Sequence, residues 1–599
     1  LLQEAQKLLR KYYGYPSFRE GQARIVQCIL EGNDTFAIMP TGAGKSICYQ
    51  IPALMFTGTT LVISPLISLM KDQVDALRSL EIPATFINSS VGIRETRQRL
   101  HKTRAGEYRL LYVAPERLEA EGFLELTADL PIAMVAIDEA HCVSQWGHDF
   151  RPSYRRIGPF IRMLAKRPIV TAFTATATDE VKQDIVKLLG LNNPHLFITG
   201  FDRPNLTFTV ARGENKLQFI LGYLADHPRD CGIIYAATRK EVERLYELLS
   251  KKGYPVGKYH AGLKDAEREQ TQEAFIYDRL RVMVATNAFG MGIDKSNVRY
   301  VIHYNLPKNM EAYYQEAGRA GRDGDPGECI LLFAPQDLIL QKYLIEQSVY
   351  APARQANEYK KLQLMADYAH TTRCLRRYIL EYFGETEAPE NCGNCSNCIG
   401  DHIEVEITVE SQKILSCVKR MREQYGVSLV AEVLKGSKNK RLRQFRLDAL
   451  PTYGILGDLT LEEIKDLINL LVADDYLLTT GGKYPVVKLQ PRAIPVLKDE
   501  ARVFRKVLAR RVTPEAGQTL FERLRELRQE IAAQEQVPPY IIFADSTLRE
   551  ISQNQPLTRG ALLGIKGVGE AKLAKYGDAV IAKVREYLGD CVYSGTPQK

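Results

Sequence analysis

The chain has 599 residues, 45% hydrophobic and 25% charged, with 80 Lys/Arg against 72 Asp/Glu for a net charge of +8. That length exceeds what one hydrophobic core serves, and the balance excludes extensive disorder, a collagen-like repeat and a small disulfide scaffold. No apolar run reaches the roughly 18 residues of a membrane span, and the eleven cysteines, odd in number, suit reduced thiols. We therefore expect a soluble, cytoplasmic, multidomain chain with no membrane partner, whose modest charge permits a polyanionic ligand without demanding one.

To about residue 335, short β-branched runs (TLVISP, RLLYVAP, AMVAIDEA, IVTAFTAT, CGIIYAAT, RVMVAT, YVIHYNLP) alternate with polar stretches of helical period. Such alternation predicts α/β domains with parallel sheets. The turn-rich segment 199–205 divides two sets of them, leaving a cleft between two halves.

The first apolar strand, Phe36 to Met39, runs into Pro40-Thr41-Gly42-Ala43-Gly44-Lys45-Ser46 and then a helix start. Glycines let the backbone N–H groups of Thr41 to Gly44 close around phosphate oxygens, Lys45 reaches the outer phosphates and Ser46 binds Mg²⁺. Met39 stands where the usual pattern has glycine. A later strand ends in Asp138-Glu139-Ala140-His141. An acidic pair there places Asp138 toward Mg²⁺ and Glu139 toward an attacking water, or is merely the acidic first turn of a helix.

Nucleic-acid contacts are expected where hydroxyl, basic or small residues follow strands: Ser64 to Ser68 with Lys71 in the first half, and Arg239, His260 and Thr286 in the second. Between 142 and 154, Trp146, His148, Phe150 and Arg151 combine aromatic planes that stack on unpaired bases with a positive charge. A packed aromatic mini-core is the alternative.

From 336 to 400 the pattern turns helical and ends in Cys374, Cys392, Cys395 and Cys398, spaced C-x17-C-x2-C-x2-C, with Cys374 placed on a helix. Four thiolates suit a closed tetrahedral Zn²⁺ site; an iron–sulfur cluster, a redox pair or catalytic zinc are the alternatives. Residues 401–514 hold 20 Lys/Arg against 15 Asp/Glu, including the acid-free run with Lys438, Lys440, Arg441 and Arg443. Short helices and a Gly481-Gly482 hairpin suggest a winged helix whose basic run touches duplex phosphates or forms a solvated face. From 515 onward the count is 11 basic and 11 acidic residues, in a helical module whose Ile565–Gly569 turn suits a phosphate or a protein contact.

PTGAGKS, DEAH, FTATAT (173–178) and YYQEAGRAGRDG (313–324), in that order, resemble the motifs of superfamily 2 helicases. Phe18-Arg19-Glu20-Gly21-Gln22 and QWGHDFRPSY resemble the RecQ family in particular, its bacterial members most closely. The resemblance implies RecA-like doubly wound domains at 1–200 and 201–335, a zinc-binding subdomain at 336–400, a winged-helix domain at 401–508, a linker at 509–518 and an HRDC domain at 519–590. It implies that Gln22 and Arg19 read adenine, that Phe18 or Arg19 stacks on it, and that Gln315 senses the nucleotide. Arg319 and Arg322 approach the γ-phosphate across the cleft, Arg322 as arginine finger, while the Trp146 loop transmits strand binding. Implied cofactors are ATP, Mg²⁺ and structural Zn²⁺. Implied too is 3′–5′ unwinding of tailed duplex DNA in recombination, repair and replication-fork maintenance. A single-stranded-DNA-binding protein and a topoisomerase are the implied partners, in a bacterial nucleoid. An RNA helicase, a non-enzymatic DNA-binding regulator and a motor that slides on duplex are the rival readings.

Overall fold

A computed structural model describes residues 1–19, 21–119, 123–127, 130–147, 149–290, 295–385, 387–399, 402–480, 485–508, 520–535 and 537–593. The first sheet comprises β1 (Thr35–Ile38), β2 (Thr59–Ile63), β3 (Ala84–Ile87), β4 (Leu110–Val113), β5 (Ile132–Ile137), β6 (Ile169–Thr174) and β7 (His195–Ile198). It is wholly parallel in the order β3-β4-β2-β5-β6-β1-β7. Helices cover both faces, so β1, β2 and β4 are buried along their whole length, which is why they read as unbroken apolar runs rather than alternating ones.

The second sheet comprises β8 (Leu206–Arg212), β9 (Cys231–Tyr235), β10 (Val256–Tyr259), β11 (Val282–Ala285), β12 (Val298–His303) and β13 (Gly327–Phe333), also parallel, in the order β10-β11-β9-β12-β13-β8. Strand order decides what meets what. In the first sheet β5, β6 and β1 are neighbours, so the segments leaving their C-terminal ends, Asp138-Glu139, Ala175-Thr176 and Pro40-Thr41, share one edge. Ligands bind at that edge in doubly wound sheets.

Helices Pro335–Ser348, Pro352–His370 and Leu375–Tyr382 follow the second sheet and pack onto its core. Cys374 is the N-cap of the last of these rather than a residue inside it, and its Sγ accepts from the Arg377 amide. Phe383 stacks on Phe201 with ring centroids 4.7 Å apart, and Arg376 donates to Asp202 at 2.6 Å and to the Arg203 carbonyl at 2.6 Å. The cysteine-bearing region thereby grips the connection between the two sheets.

The winged region has its own core, centred on Ile414, Leu434, Ile464 and Ile468. Its ends are held together by an antiparallel pair, β14 (His402–Glu406) with β17 (Phe504–Leu508), which the sequence pattern does not announce. The hairpin strands β15 (Leu477–Thr479) and β16 (Val487–Leu489) pair antiparallel; its Gly481-Gly482 tip, like the 509–518 linker, lies outside the described residues. The terminal helices pack around Leu524, Phe543, Leu548 and Val584. No helix among the described residues is long and apolar enough to cross a membrane.

Candidate functional site

The phosphate loop turns on Gly42 and Gly44, both at φ 78, where L side chains are strained. Gln22 braces it from outside. Its Oε1 accepts from the Arg19 amide at 2.8 Å and its Nε2 donates to the carbonyls of Ala43 at 2.9 Å and Gly44 at 3.2 Å. Arg19 adds a bond from Nη1 to the Gly42 carbonyl at 2.6 Å. The pair expected to read adenine thus shapes the loop as well, with both ends of the Gln22 amide engaged.

A cavity of about 540 Å³ opens at the loop. From the first domain it is lined by Phe18, Arg19, Gln22, Thr41, Gly42, Gly44, Lys45, Ser46, Asp138 and Glu139, and from the second by Gln315, Arg319 and Arg322. Two of the expected residues stand back from it. Ala43 turns its carbonyl to Gln22, and His141 is fully buried, with Nδ1 2.9 Å from Thr174 Oγ1 and 3.4 Å from Glu139 Oε2. Burial lowers the His141 pKa against the pull of Glu139, favouring the neutral imidazole, and the ring links the DEAH turn to the FTATAT turn. Glu139 itself sits at φ 46, and Tyr154 donates to the Asp138 carbonyl at 2.9 Å, fixing that turn.

Arg203, in the connection between the sheets, is a site residue the sequence reading passed over. Its guanidinium donates to the Thr41 carbonyl in the phosphate loop and, across the cleft, to the carbonyls of Gly318 at 3.3 Å, Ala320 at 3.1 Å and Gly321 at 2.8 Å. It is 9% exposed. The only available signal was a charged residue inside a turn, FDRPN, at a domain boundary.

The proposed strand contacts differ in where the fold places them. Lys71 reaches across the cleft to Glu269 at 3.3 Å, and Lys438, Lys440, Arg441 and Arg443 are exposed around the buried Leu442. Phe150 lines a second cavity, about 480 Å³, between Asp149 of the first domain and Asn287, His303 and Lys308 of the second. Arg151 is braced by Asp149 at 3.0 Å and the Pro65 carbonyl at 2.7 Å. By contrast His260 and Thr286 are buried, His260 bonding Glu243 at 2.9 Å and accepting from the Gly262 amide at 3.1 Å. They shape their loops. Arg239 begins helix Arg239–Lys251 with its guanidinium against Gly262; His148 lies outside the described residues.

Trp146 is half-buried, and its carbonyl accepts from Lys361 Nζ at 3.3 Å. Lys361, buried on the helix Pro352–His370, also pairs with the buried Glu311 at 2.8 Å. Glu311 lies in the first turn of the second domain's helix Met310–Ala317, which carries Gln315 and leads to Arg319 and Arg322. A single ammonium therefore joins the aromatic loop to the helix that feeds the nucleotide cavity.

The four sulfurs of Cys374, Cys392, Cys395 and Cys398 lie within 4.8 Å of one another. Zn–S bonds of ~2.3 Å in a tetrahedron put sulfurs ~3.8 Å apart, and Cys374 and Cys395 stand at 4.0 Å. The Cys395 thiol and the Arg377 amide hold the Cys374 thiol below its usual range, while the same contact with Cys374 and burial push Cys395 up. An all-thiolate, half-buried cluster at a helix N-cap fits a structural Zn²⁺.

Five family models match in tandem: DEAD/DEAH box helicase over 19–184, helicase conserved C-terminal domain over 215–324, RecQ zinc-binding over 335–399, RQC domain over 402–513 and HRDC domain over 517–584. A Bacillus subtilis protein named ATP-dependent DNA helicase RecQ is 50% identical over 98% of this chain and 99% of its own length. Proteins of that name from Pasteurella multocida and Haemophilus influenzae are each 40% identical, over 98% and 97% of this chain and 94% and 96% of their own. With its phosphate loop, cross-cleft arginines and four-cysteine cluster arranged as described, the chain belongs to the RecQ helicase family.

Proposed function

We propose that the chain is an ATP- and Mg²⁺-dependent motor that moves 3′ to 5′ on single-stranded DNA and unwinds tailed duplexes. Its proposed settings are recombination, repair and replication-fork maintenance in the bacterial nucleoid, with a single-stranded-DNA-binding protein and a topoisomerase as partners. One observation carries the reading: a single cavity is lined by the phosphate loop and Asp138-Glu139 of one domain and by Gln315, Arg319 and Arg322 of the other.

In this mechanism Lys45 and the loop amides hold the nucleotide phosphates, and Ser46 and Asp138 would hold Mg²⁺, which would neutralise charge on the phosphates. Glu139 orients the attacking water. Arg322 meets the γ-phosphate only when the cleft is closed, so hydrolysis is tied to domain movement. Trp146, Phe150 and the basic residues hold the strand, and closing and opening then moves the domains along it. The Cys374–Cys398 region, whose four thiols would hold a structural Zn²⁺, fixes Arg376 and through it the connection at Asp202-Arg203.

Two duplexes matched except for a 3′ or a 5′ single-stranded tail, incubated with ATP and Mg²⁺, test the reading. The 3′-tailed duplex opens, the 5′-tailed one does not, and Lys45→Ala opens neither. Opening of the 5′-tailed duplex overturns the polarity. DNA-stimulated hydrolysis with neither duplex opened favours the sliding motor, and RNA-stimulated hydrolysis the RNA helicase.

A further inference from the structure

The helix Ile93–Arg104 carries five Lys/Arg against one acid, a net of +4 in 12 residues and half of the chain's +8. It covers the edge strand β3 and buries Thr96, Leu100 and Thr103. Arg99 spends its guanidinium on that contact, donating to the Phe86 carbonyl and lying 4.6 Å over the Phe86 ring. Away from the buried side Arg94, Arg97, His101 and Arg104 are all exposed. Steps of three, four and three residues line them up in one stripe along the helix, about 15 Å long at about 1.5 Å per residue.

Folding does not account for the whole stripe. The helix's one acid, Glu95, is held by Arg99 at 2.5 Å, and Lys102 pairs with Glu107 at 3.3 Å. That leaves no carboxylate on the helix for Arg94 or Arg97. Lys102 and Arg104, in the last turn, complement the helix dipole, but Arg94 stands in the first turn, where a cation is disfavoured. Beside it Ile93 is 69% exposed, an apolar side chain next to unmatched charge.

Position selects the ligand. All strands of this sheet are parallel, and β3 lies two places from β2, so the segment that leads into the helix leaves the same edge as Ser64–Ser68, about 10 Å along it. A strand running along that edge past Ser64–Ser68 meets Ile93 and Arg94 next. The stripe then leads it down the side of the domain, away from the cleft.

We propose that the helix Ile93–Arg104 is a further track for single-stranded DNA. Arg94 and Arg97, with His101 and Arg104 beyond them, hold phosphates of the strand outside the interdomain cleft, and Ile93 rests against an unpaired base. The proposal rests on the reading of this chain as a motor on single-stranded DNA.

The test uses the full-length chain and fluorescent single-stranded oligonucleotides lengthened one nucleotide at a time, over a series of salt concentrations. Wild type is compared with Arg94→Gln/Arg97→Gln and Arg94→Lys/Arg97→Lys. Thermal melting confirms that both variants are folded, the glutamine variant being no less stable than the wild type. On long oligonucleotides the glutamine variant binds about 3- to 10-fold more weakly, the range of two exposed ion pairs. Its slope of log affinity against log salt is shallower by about 1.4, for two single-strand phosphates at about 0.7 each. On the shortest oligonucleotides the two bind alike, and the lysine variant keeps the wild-type slope because the phosphate contact needs only the charge. An unchanged slope in the glutamine variant, or equal weakening at every length, overturns the track. Equal weakening on a blunt duplex assigns the stripe to double-stranded DNA and overturns it too. If the wild type binds no oligonucleotide at all, the single-stranded-DNA reading of the chain has failed, and the track falls with it.

Discussion

Arg203 donates to the carbonyl of Thr41 from a residue 162 positions later in the chain, and the same guanidinium holds the Gly318–Gly321 turn of the opposite domain. The relationship is intolerant of substitution at both ends. A Cβ on Gly318 would overlap Thr41 Oγ1, and a lysine at 203 offers one point charge where a planar fork serves several carbonyls. Arg203→Lys and Gly318→Ala therefore misalign the two halves of the cavity and lower kcat for ATP by about 100-fold, as small displacements of reacting groups do. Steady-state hydrolysis with saturating DNA checks this; near-normal rates in folded variants would contradict it.

Lys361 joins the Trp146 carbonyl to Glu311, and in the proposed mechanism this contact serves strand coupling rather than strand binding. Lys361→Met keeps the length of the side chain and removes the ammonium. It lowers the DNA-stimulated kcat about 10-fold or more, within the reach of one or two lost charge-assisted bonds, and leaves the half-saturating DNA concentration nearly unchanged. Combined with Trp146→Ala, the loss is no greater than in either variant alone. Additive losses would place the two residues on separate routes.

The zinc reading predicts one Zn²⁺ per chain by elemental analysis. A strong chelator then lowers the melting temperature of the Cys374–Cys398 region and its neighbours, since the binding free energy of a structural site is folding free energy. Cys395 is the most telling substitution, being fully buried and bridged to Phe208 of the second sheet. Cys395→Ser destabilises this region by several kcal/mol. A chain that melts identically with and without chelator would refute a structural role.

Two groups on one helix, the buried His370 and the half-buried Asp367, titrate in opposite senses. Burial pushes His370 down to about 3, and burial pushes Asp367 up to about 7. A histidine whose folded pKa is depressed costs stability as the pH falls from about 6.5 towards about 3, because only the unfolded chain takes the proton. An aspartate whose folded pKa is raised costs stability as the pH rises from about 4 to about 7. The slopes oppose each other, each at most about 1.4 kcal/mol per pH unit. Asp367→Asn removes one of them. It raises stability at pH 7 and leaves a chain that loses stability on acidification below about 6.5, read as melting temperature against pH. An unchanged profile would show that Asp367 is ionised in the fold.

What the sequence made legible, and what it did not, follows the reach of each interaction. Lys45, Ser46, Asp138 and Glu139 sit in short strand-to-turn segments whose local pattern names their chemistry, and the cavity collects all four. The cysteines were equally plain from spacing. Arg203 and Lys361 carry no local pattern, because the bonds of Arg203 to Thr41 and of Lys361 to Trp146 span more than a hundred residues and exist only once the domains are packed. His260 and Thr286 show a further limit: a polar residue after a strand is easy to see, but the bonds their side chains make within their own loops are not. The pairing of β14 with β17 was hidden too, since strands about a hundred residues apart leave no hairpin signal.

The central claim is that the ATP site is complete only when a second-domain arginine closes onto a first-domain phosphate loop. Single-turnover hydrolysis with saturating single-stranded DNA tests it most directly, comparing wild type with Arg322→Ala while nucleotide affinity is measured separately. The account predicts a fall of about 10³-fold or more in the hydrolysis rate, the effect of losing an arginine finger, with affinity nearly unchanged. A variant that hydrolyses ATP at the wild-type rate would contradict it.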